Sequence, residues 1–425
     1  MLLLIACICV SFDGFNFALA QKTYNGYKVY NVSIDTDQKL HFIQSFEDTD
    51  GYDFWLRPYP FGHFHIMVTP ELQPGFEQEL KSKSVEFEVL HDDVGLLLEK
   101  NTTVHSSKRK VRSVSHEEKA AAEFNFQYFP RYDEIVKFME NLVLNRYAKL
   151  INIGSSAEGR PIYGIEVSKY ANNPVFLIDA GTHAREWASH VSALYIIQQV
   201  IENEEEFANK LNLVIIPCLN PDGYEYTHTT NRFWRKSRSQ QSNRMCPGVD
   251  LNRNFDSHFG EFRSDTSNVC SRLFAGKRAF SEPESAALRD TILAYKPIAY
   301  LSIHSFGGYL LYPYGYTKIL PQNWQTLDRI AKLVVERAKE FSGTEYKYGS
   351  AARLLYKASG ASDDWAMDKG NVSLVFTIEL PAYSDRAFIV PEDKIMTLVQ
   401  ETFETFLAMF NEIFNYTKSY TFSRT

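Results

Sequence analysis

Apolar and polar residues alternate with a period of two in three early stretches, Tyr27–Ile34, Phe64–Val68 and Val85–Val89. Such alternation belongs to strands with one face buried and one face wet. The polar stretch from about Gln38 to Thr49 can carry a helix. The segment from about Gln21 to Ser107 is therefore expected to form a small α+β domain with an antiparallel sheet. Further along, the pattern changes. Val175–Ile178 and Leu213–Ile216 are continuous apolar runs, and Ile298–Ile303 and Leu374–Leu380 are largely apolar, so none shows the alternation of a strand with one wet face. They are interleaved with helical stretches, about Glu186–Ile201, Glu282–Leu293 and Lys394–Phe414, the second with Ser281 as its expected cap and Pro283 in its first turn. Strands buried on both faces between helices predict an α/β fold, a mixed, largely parallel central sheet flanked by helices. Ligands of such sheets bind at the carboxyl ends of the strands.

The two patterns are separated by a basic run, Lys108-Arg109-Lys110-Val111-Arg112, flanked by serines. At the N-terminus, an apolar run from Leu2 to Val10 precedes Ala18-Leu19-Ala20, which reads as a signal peptide with a small-x-small cleavage site, although no Lys or Arg precedes the run and Asp13 interrupts the stretch before cleavage. It is shorter than the roughly 20 residues a membrane span needs. A secreted chain, with no membrane association, is the expectation. In such a chain the exposed basic linker is a target for a trypsin-like or basic-site protease, at Arg112 or nearby. The expected divisions are 1–20, 21–112 and 113–425.

Composition narrows the picture slightly. A chain of 425 residues, 44% hydrophobic, suits two domains with large cores, and a monomer is expected. A net charge of −7 argues against general nucleic-acid binding. The 14% aromatic content suits an aromatic-walled cleft or simply a large core. Cys7 and Cys9 would leave with the signal. Cys246 and Cys270 lie in polar, loop-like sequence and could close a disulfide, stabilising by roughly 3 kcal/mol. Cys218 follows an apolar run and reads as a buried free thiol. Asn31, Asn101, Asn371 and Asn415 stand in glycan-acceptor triplets.

The chemistry gathers at the strand ends. Gly181-Thr182-His183-Ala184-Arg185-Glu186 follows one strand and opens a helix, so His183 and Glu186, three apart, can point to one side. His304 ends another apolar strand, before Ser305-Phe306-Gly307-Gly308. Two His and one Glu form a known catalytic zinc set that leaves a position open for water. Glu379 sits in the apolar run Val375–Pro381, where a carboxylate needs a partner or a raised pKa. That is how a general base is prepared. Taken alone, the histidines can equally be strand-end or capping residues, and Glu379 half of a structural ion pair.

From about Phe124 to Phe414 the chain resembles the zinc metallocarboxypeptidases of the pancreatic carboxypeptidase A/B type. The resemblance rests on Thr-His-Ala-Arg-Glu-Trp from Thr182, Asn-Pro-Asp-Gly-Tyr from Asn220, Asn-Arg-Phe-Trp-Arg-Lys from Asn231 and Val-Asp-Leu-Asn-Arg-Asn from Val249. It continues through Ser-Ile-His-Ser from Ser302, Leu-Tyr-Pro-Tyr-Gly-Tyr from Leu311, Tyr-Lys-Ala-Ser-Gly from Tyr356, Ser-Asp-Asp-Trp from Ser362 and Phe-Thr-Ile-Glu-Leu from Phe376. The segment before the basic run is similar, more weakly, to the family's activation propeptide.

That resemblance implies one zinc held by His183, Glu186 and His304, with Asp250 on the other ring nitrogen of His183 and Glu379 as the base. It implies Arg235 at the oxyanion, Asn252 and Arg253 on the terminal carboxylate of a peptide or protein substrate, and Tyr356 closing over the bound residue. Arg185 and Phe388 would line subsites upstream of the cut. Asp363 aligns with the floor of the pocket for the departing side chain, where a carboxylate selects Lys or Arg, as in the B-type enzymes. The resemblance also pairs with a zymogen masked until cleavage near Arg112. The alternatives are A-type preference for apolar residues and a non-catalytic binder of peptide C-termini. A structural zinc site would need a fourth ligand, and no further His or Cys stands beside the three. Two departures are visible: Glu186 to His304 spans fewer positions than the family suggests, and Phe306 stands where the pancreatic enzymes have Tyr.

Overall fold

The computed structural model describes residues 21–47, 49–99, 124–143 and 146–422. The expected signal, the basic run with Arg112, and Asn101 lie outside the described residues.

The leading domain is a four-stranded antiparallel sheet of β1 (Lys28–Ile34), β2 (Tyr52–Leu56), β3 (Gly62–Val68) and β4 (Phe87–His91), in the order β2-β3-β1-β4. The period-two pattern divides its residues. Tyr30, Val32, Ile34, Phe54, Phe64, Ile66 and Val68 face a core closed by Ile43, Phe76 and Leu80 from the helices Asp37–Gln44 and Gln73–Ser82. Val29, Trp55 and Met67, one residue out of phase, face the second domain. The helix expected to reach Thr49 stops at Gln44, and Thr36 caps its start by accepting from the Lys39 N–H at 3.3 Å. The third strand expected here starts at Phe87 instead of Val85, because Val85 donates its N–H to Leu80 O and closes the preceding helix.

The second domain carries an eight-stranded sheet. Its strands are β5 (Ala148–Ser155), β6 (Pro161–Val167), β7 (Val175–Ala180), β8 (Asn212–Ile216), β9 (Ala299–Ser305), β10 (Tyr309–Tyr312), β11 (Lys347–Ser350) and β12 (Leu374–Leu380), in the order β11-β10-β12-β9-β7-β8-β6-β5. The central β12, β9, β7 and β8 pair in parallel, while β5, β6 and β10 bring antiparallel pairings to the flanks. The mixed, largely parallel sheet follows from the runs without a wet face. Phe176, Ile178, Leu301 and Phe376 point to one side, against the helices Tyr132–Leu142, Trp187–Glu202, Trp324–Ser342 and Glu392–Phe422. Leu177, Val214, Tyr300 and Val375 point to the other, against Pro283–Tyr295 and Ser362–Asp368.

Two of these helices differ from expectation at their ends. Ser281 is not the cap of Pro283–Tyr295; Glu282 occupies that position, and Ser281 Oγ instead accepts from Asn254 Nδ2 at 2.9 Å. The last helix extends beyond both expected ends, over Glu392–Phe422. Cys246 and Cys270 are disulfide-bonded, with Cα atoms 4.9 Å apart, and Cys218 is a buried free thiol. Among the described residues no helix is long and apolar enough to cross a membrane.

Candidate active site

Parallel pairing of the central strands brings their carboxyl ends together. β7 ends at Ala180, and Gly181 turns the chain at φ +72. A side chain there would strike His190, whose Nε2 lies 2.4 Å from the position of a Cβ. The turn delivers His183 and Glu186 just before the helix Trp187–Glu202. β9 delivers His304, which is in register with Glu379 on β12. His183 Nδ1 lies 2.8 Å from Glu186 Oε1, and His304 Nδ1 lies 3.1 Å from both Glu186 Oε2 and His183 Nδ1. All three side chains are buried, and one donor atom from each lies within 4.8 Å of the others. Two imidazole nitrogens and a carboxylate converging on one point, away from water, are a donor set that a zinc ion fits.

The surroundings orient that set. His183 Nε2 lies 3.1 Å from Asp250 Oδ1, which fixes the ring. Burial raises the Asp250 carboxyl, but Arg235 and His183 overcome this and hold it well below the ordinary range. Arg235 donates from Nε to Asp250 Oδ2 at 3.0 Å, and its Nη1 stands 3.6 Å from Glu186 Oε1. Burial pushes the His304 pKa down, yet the Glu186 carboxylate more than reverses this, to about 9. Glu379 has its carboxyl pushed up to about 8, first by burial and also by Glu186, against the pull of His304. A dication beside it favours the carboxylate form.

A second group lies around Tyr356. Arg253 is buried and donates from Nε to Arg263 O at 2.9 Å and from Nη1 to Asn252 O at 2.7 Å. Its backbone is pressed against Gly360 (φ +74), where a Cβ would stand 2.2 Å from Arg253 O. Asn252 Oδ1 accepts from the Ser362 N–H at 2.9 Å, which ties this group to Asp363. Burial raises the Tyr356 hydroxyl pKa, but Arg263, Arg253, Arg57 and Arg235 win and lower it. Asp363 is buried; its Oδ2 accepts from Thr377 Oγ1 at 3.0 Å and its Oδ1 from the Asp364 N–H at 2.8 Å. Thr377 and Glu379 are two apart on β12 and so share a face.

A third group includes Arg185 and Phe388. The Arg185 guanidinium lies 4.1 Å from the Phe388 ring centre. Arg232 was not singled out from the sequence. It donates to Arg185 O at 2.9 Å and to Phe388 O at 2.8 Å, and so holds both segments. Here the leading domain enters: Trp55 packs on Phe233 and Phe388, with ring centres 5.1 and 6.4 Å apart. Asp53 of the same strand takes Arg185 and Arg272 as ion-pair partners. The Arg57–Glu47–Arg263 chain, with contacts of 3.0 and 2.9 Å, reaches the Tyr356 ring, 4.1 Å from the Arg263 guanidinium. No local pattern marks Asp53, Arg263 or Arg272, because their partners are remote in sequence.

Buried donors at the ends of parallel strands, with a small domain seated over them, make a candidate metal centre with a covering segment. Residues 135–405 match the family described as zinc carboxypeptidase, and 30–101 match the carboxypeptidase activation peptide. The chain is 33% identical over 414 residues to carboxypeptidase A1 of Sus scrofa, covering 94% of this chain and 96% of that one. It is also 33% identical over 396 residues to carboxypeptidase B of Bos taurus, covering 89% and 91%. The crystal structure of carboxypeptidase A from Helicoverpa armigera superposes with a TM-score of 0.84 at 30% identity, covering 93% of this chain and 99% of that one. The chain belongs to the zinc carboxypeptidase family and is a zymogen, a metallocarboxypeptidase preceded by its activation domain. Its cofactor is the family's single catalytic zinc.

Proposed function

We propose that this zymogen, once processed, removes Lys or Arg from peptide C-termini. Equal identity to an A-type and a B-type enzyme leaves the choice to the pocket. One observation carries the reading: Asp363 is a buried carboxylate with no ion-pair partner among the described residues. Its charge raises the neighbouring Asp364 pKa, after burial, and adds to the rise at Glu379. A buried anion without a cation is destabilising until a ligand supplies one. A Lys or Arg side chain supplies it, and a Phe or Leu side chain does not.

The roles of the remaining residues follow from their chemistry. Zinc, held by His183, Glu186 and His304, supplies a Lewis acid and acidifies water when bound. The Glu379 carboxylate takes the proton of the attacking water and passes it to the leaving amine. Arg235 stabilises the developing oxyanion, with Asp250 holding its guanidinium in place. Asn252 and Arg253 grip the terminal carboxylate, with Tyr356 and its surrounding arginines favouring an anion there. The export signal and processing near Arg112 complete the reading: a secreted enzyme, silent until the linker is cut. Turnover of Arg-, Lys- and Phe-terminated peptides by the trypsin-treated chain tests it. Faster release of Arg or Lys is expected; preference for Phe overturns it.

A further inference from the structure

β2 is an edge strand, and its alternation gives it two uses. Tyr52 and Phe54 close the core of the leading domain, while Asp53 and Trp55 point outward into the catalytic domain. Asp53 is 2% exposed. Both its oxygens accept from Arg185 Nη1, at 2.9 and 3.0 Å, and Arg272 reaches the same carboxylate. Despite burial, which raises it, the two guanidiniums hold the Asp53 carboxyl well below its ordinary range. Lys22 also feels this pair, but it belongs to the leading domain and departs with it.

Arg185 and Arg272 both stay behind. Neither has another ion-pair partner among the described residues. Arg185 is buried, stacked on Phe388 and ordered by Arg232 through its own carbonyl, so it cannot swing away freely. Arg272 follows the disulfide at Cys270 by two residues, which anchors its loop. Loss of Asp53 therefore leaves two like charges, one of them desolvated, facing a vacated groove next to the metal ligand Glu186.

We infer that Arg185 and Arg272 form a subsite for an acidic side chain upstream of the scissile bond, which Asp53 occupies in the zymogen. A substrate Glu or Asp restores the two guanidinium–carboxylate contacts, whereas Lys or Arg in that position adds a third cation. Arg272 is then a specificity-determining residue separate from Asp363. The inference rests on the carboxypeptidase reading but not on the choice of departing residue.

The test uses the full chain after proteolytic processing. Two peptide series, one ending in Arg and one in Phe, carry Glu, Gln or Lys one, two or three positions before the released residue. The kcat/KM ratio of Glu over Gln is taken within each series, so failure of the basic preference appears between series and failure of this subsite within them. At its best position Glu is expected to exceed Gln by about tenfold, as for a charged hydrogen bond with partial exposure. The ratio should fall at 0.5 M salt, collapse towards one in Arg272→Gln and persist in Arg272→Lys. A wild-type ratio of one or less at all three positions overturns the inference, and so does an unchanged ratio in Arg272→Gln.

Discussion

Asp53 of the activation domain and Arg185 of the catalytic domain form a buried ion pair, with both carboxylate oxygens within 3.0 Å of one guanidinium nitrogen. The two residues are 132 positions apart, and their pairing joins the covering domain to the turn that carries the candidate metal donors His183 and Glu186. Removing one member of a buried pair typically destabilises by about 3–5 kcal/mol. Asp53→Ala is therefore expected to weaken docking and raise the activity of the uncleaved chain. Asp53→Asn, which keeps the shape, should do so as well. The sign with pH is fixed by the depressed Asp53 pKa. The contribution is fully present above the ordinary value of 3.8 and is lost as pH falls below it. Uncleaved wild type should thus stay silent from neutral pH down to about 4. Activity of cleavage-blocked zymogen, assayed at each pH and set against that of the processed enzyme at the same pH, checks this.

Glu379 is separated from the ligand set only by strand register, opposite His304. With the proposed role of its carboxylate as the base, Glu379→Gln should lower kcat by about two to four orders of magnitude. Zinc content should not change, because Glu379 is outside the donor set. Metal analysis alongside turnover separates the two effects. A mutant as fast as wild type removes Glu379 from the mechanism.

The parts of the site that were legible in the sequence are those carried by regular elements. His183, Glu186, His304 and Glu379 all follow or end apolar strands, where parallel pairing must bring them together. The central strands stood out because both their faces are buried. β5 and β11 did not, since they are flanking strands with partly wet residues, and β10 did not, since it is only four residues long. Ser281 was misread as a cap because Asn254, 27 positions earlier, claims its hydroxyl. Asp53, Arg272 and Arg263 carry no local signal: their ion pairs form, and Asp53 becomes buried, only where the surfaces of the two domains meet.

Glu284 is another such charge. In the first turn of a helix a Glu ordinarily reads as a wet residue facing the helix dipole. Here it is fully buried; Oε1 accepts from the Ala157 N–H at 2.9 Å, and Oε2 has no hydrogen-bond partner among the described residues. Burial, with Glu282 and Asp222 nearby, pushes its pKa up to about 8. The folded chain then binds a proton that the unfolded chain releases above the ordinary value of 4.5. Stability is therefore expected to fall as pH rises from 4.5 to about 8, with a slope of at most about 1.4 kcal/mol per pH unit from this group. Glu284→Gln keeps the acceptor for Ala157 and cannot ionise. It should flatten the thermal-stability profile over that window and unfold at a higher temperature than wild type at pH 8. Parallel profiles for the two proteins would mean that Glu284 is already charged in the fold, and that a neighbouring group or water satisfies Oε2.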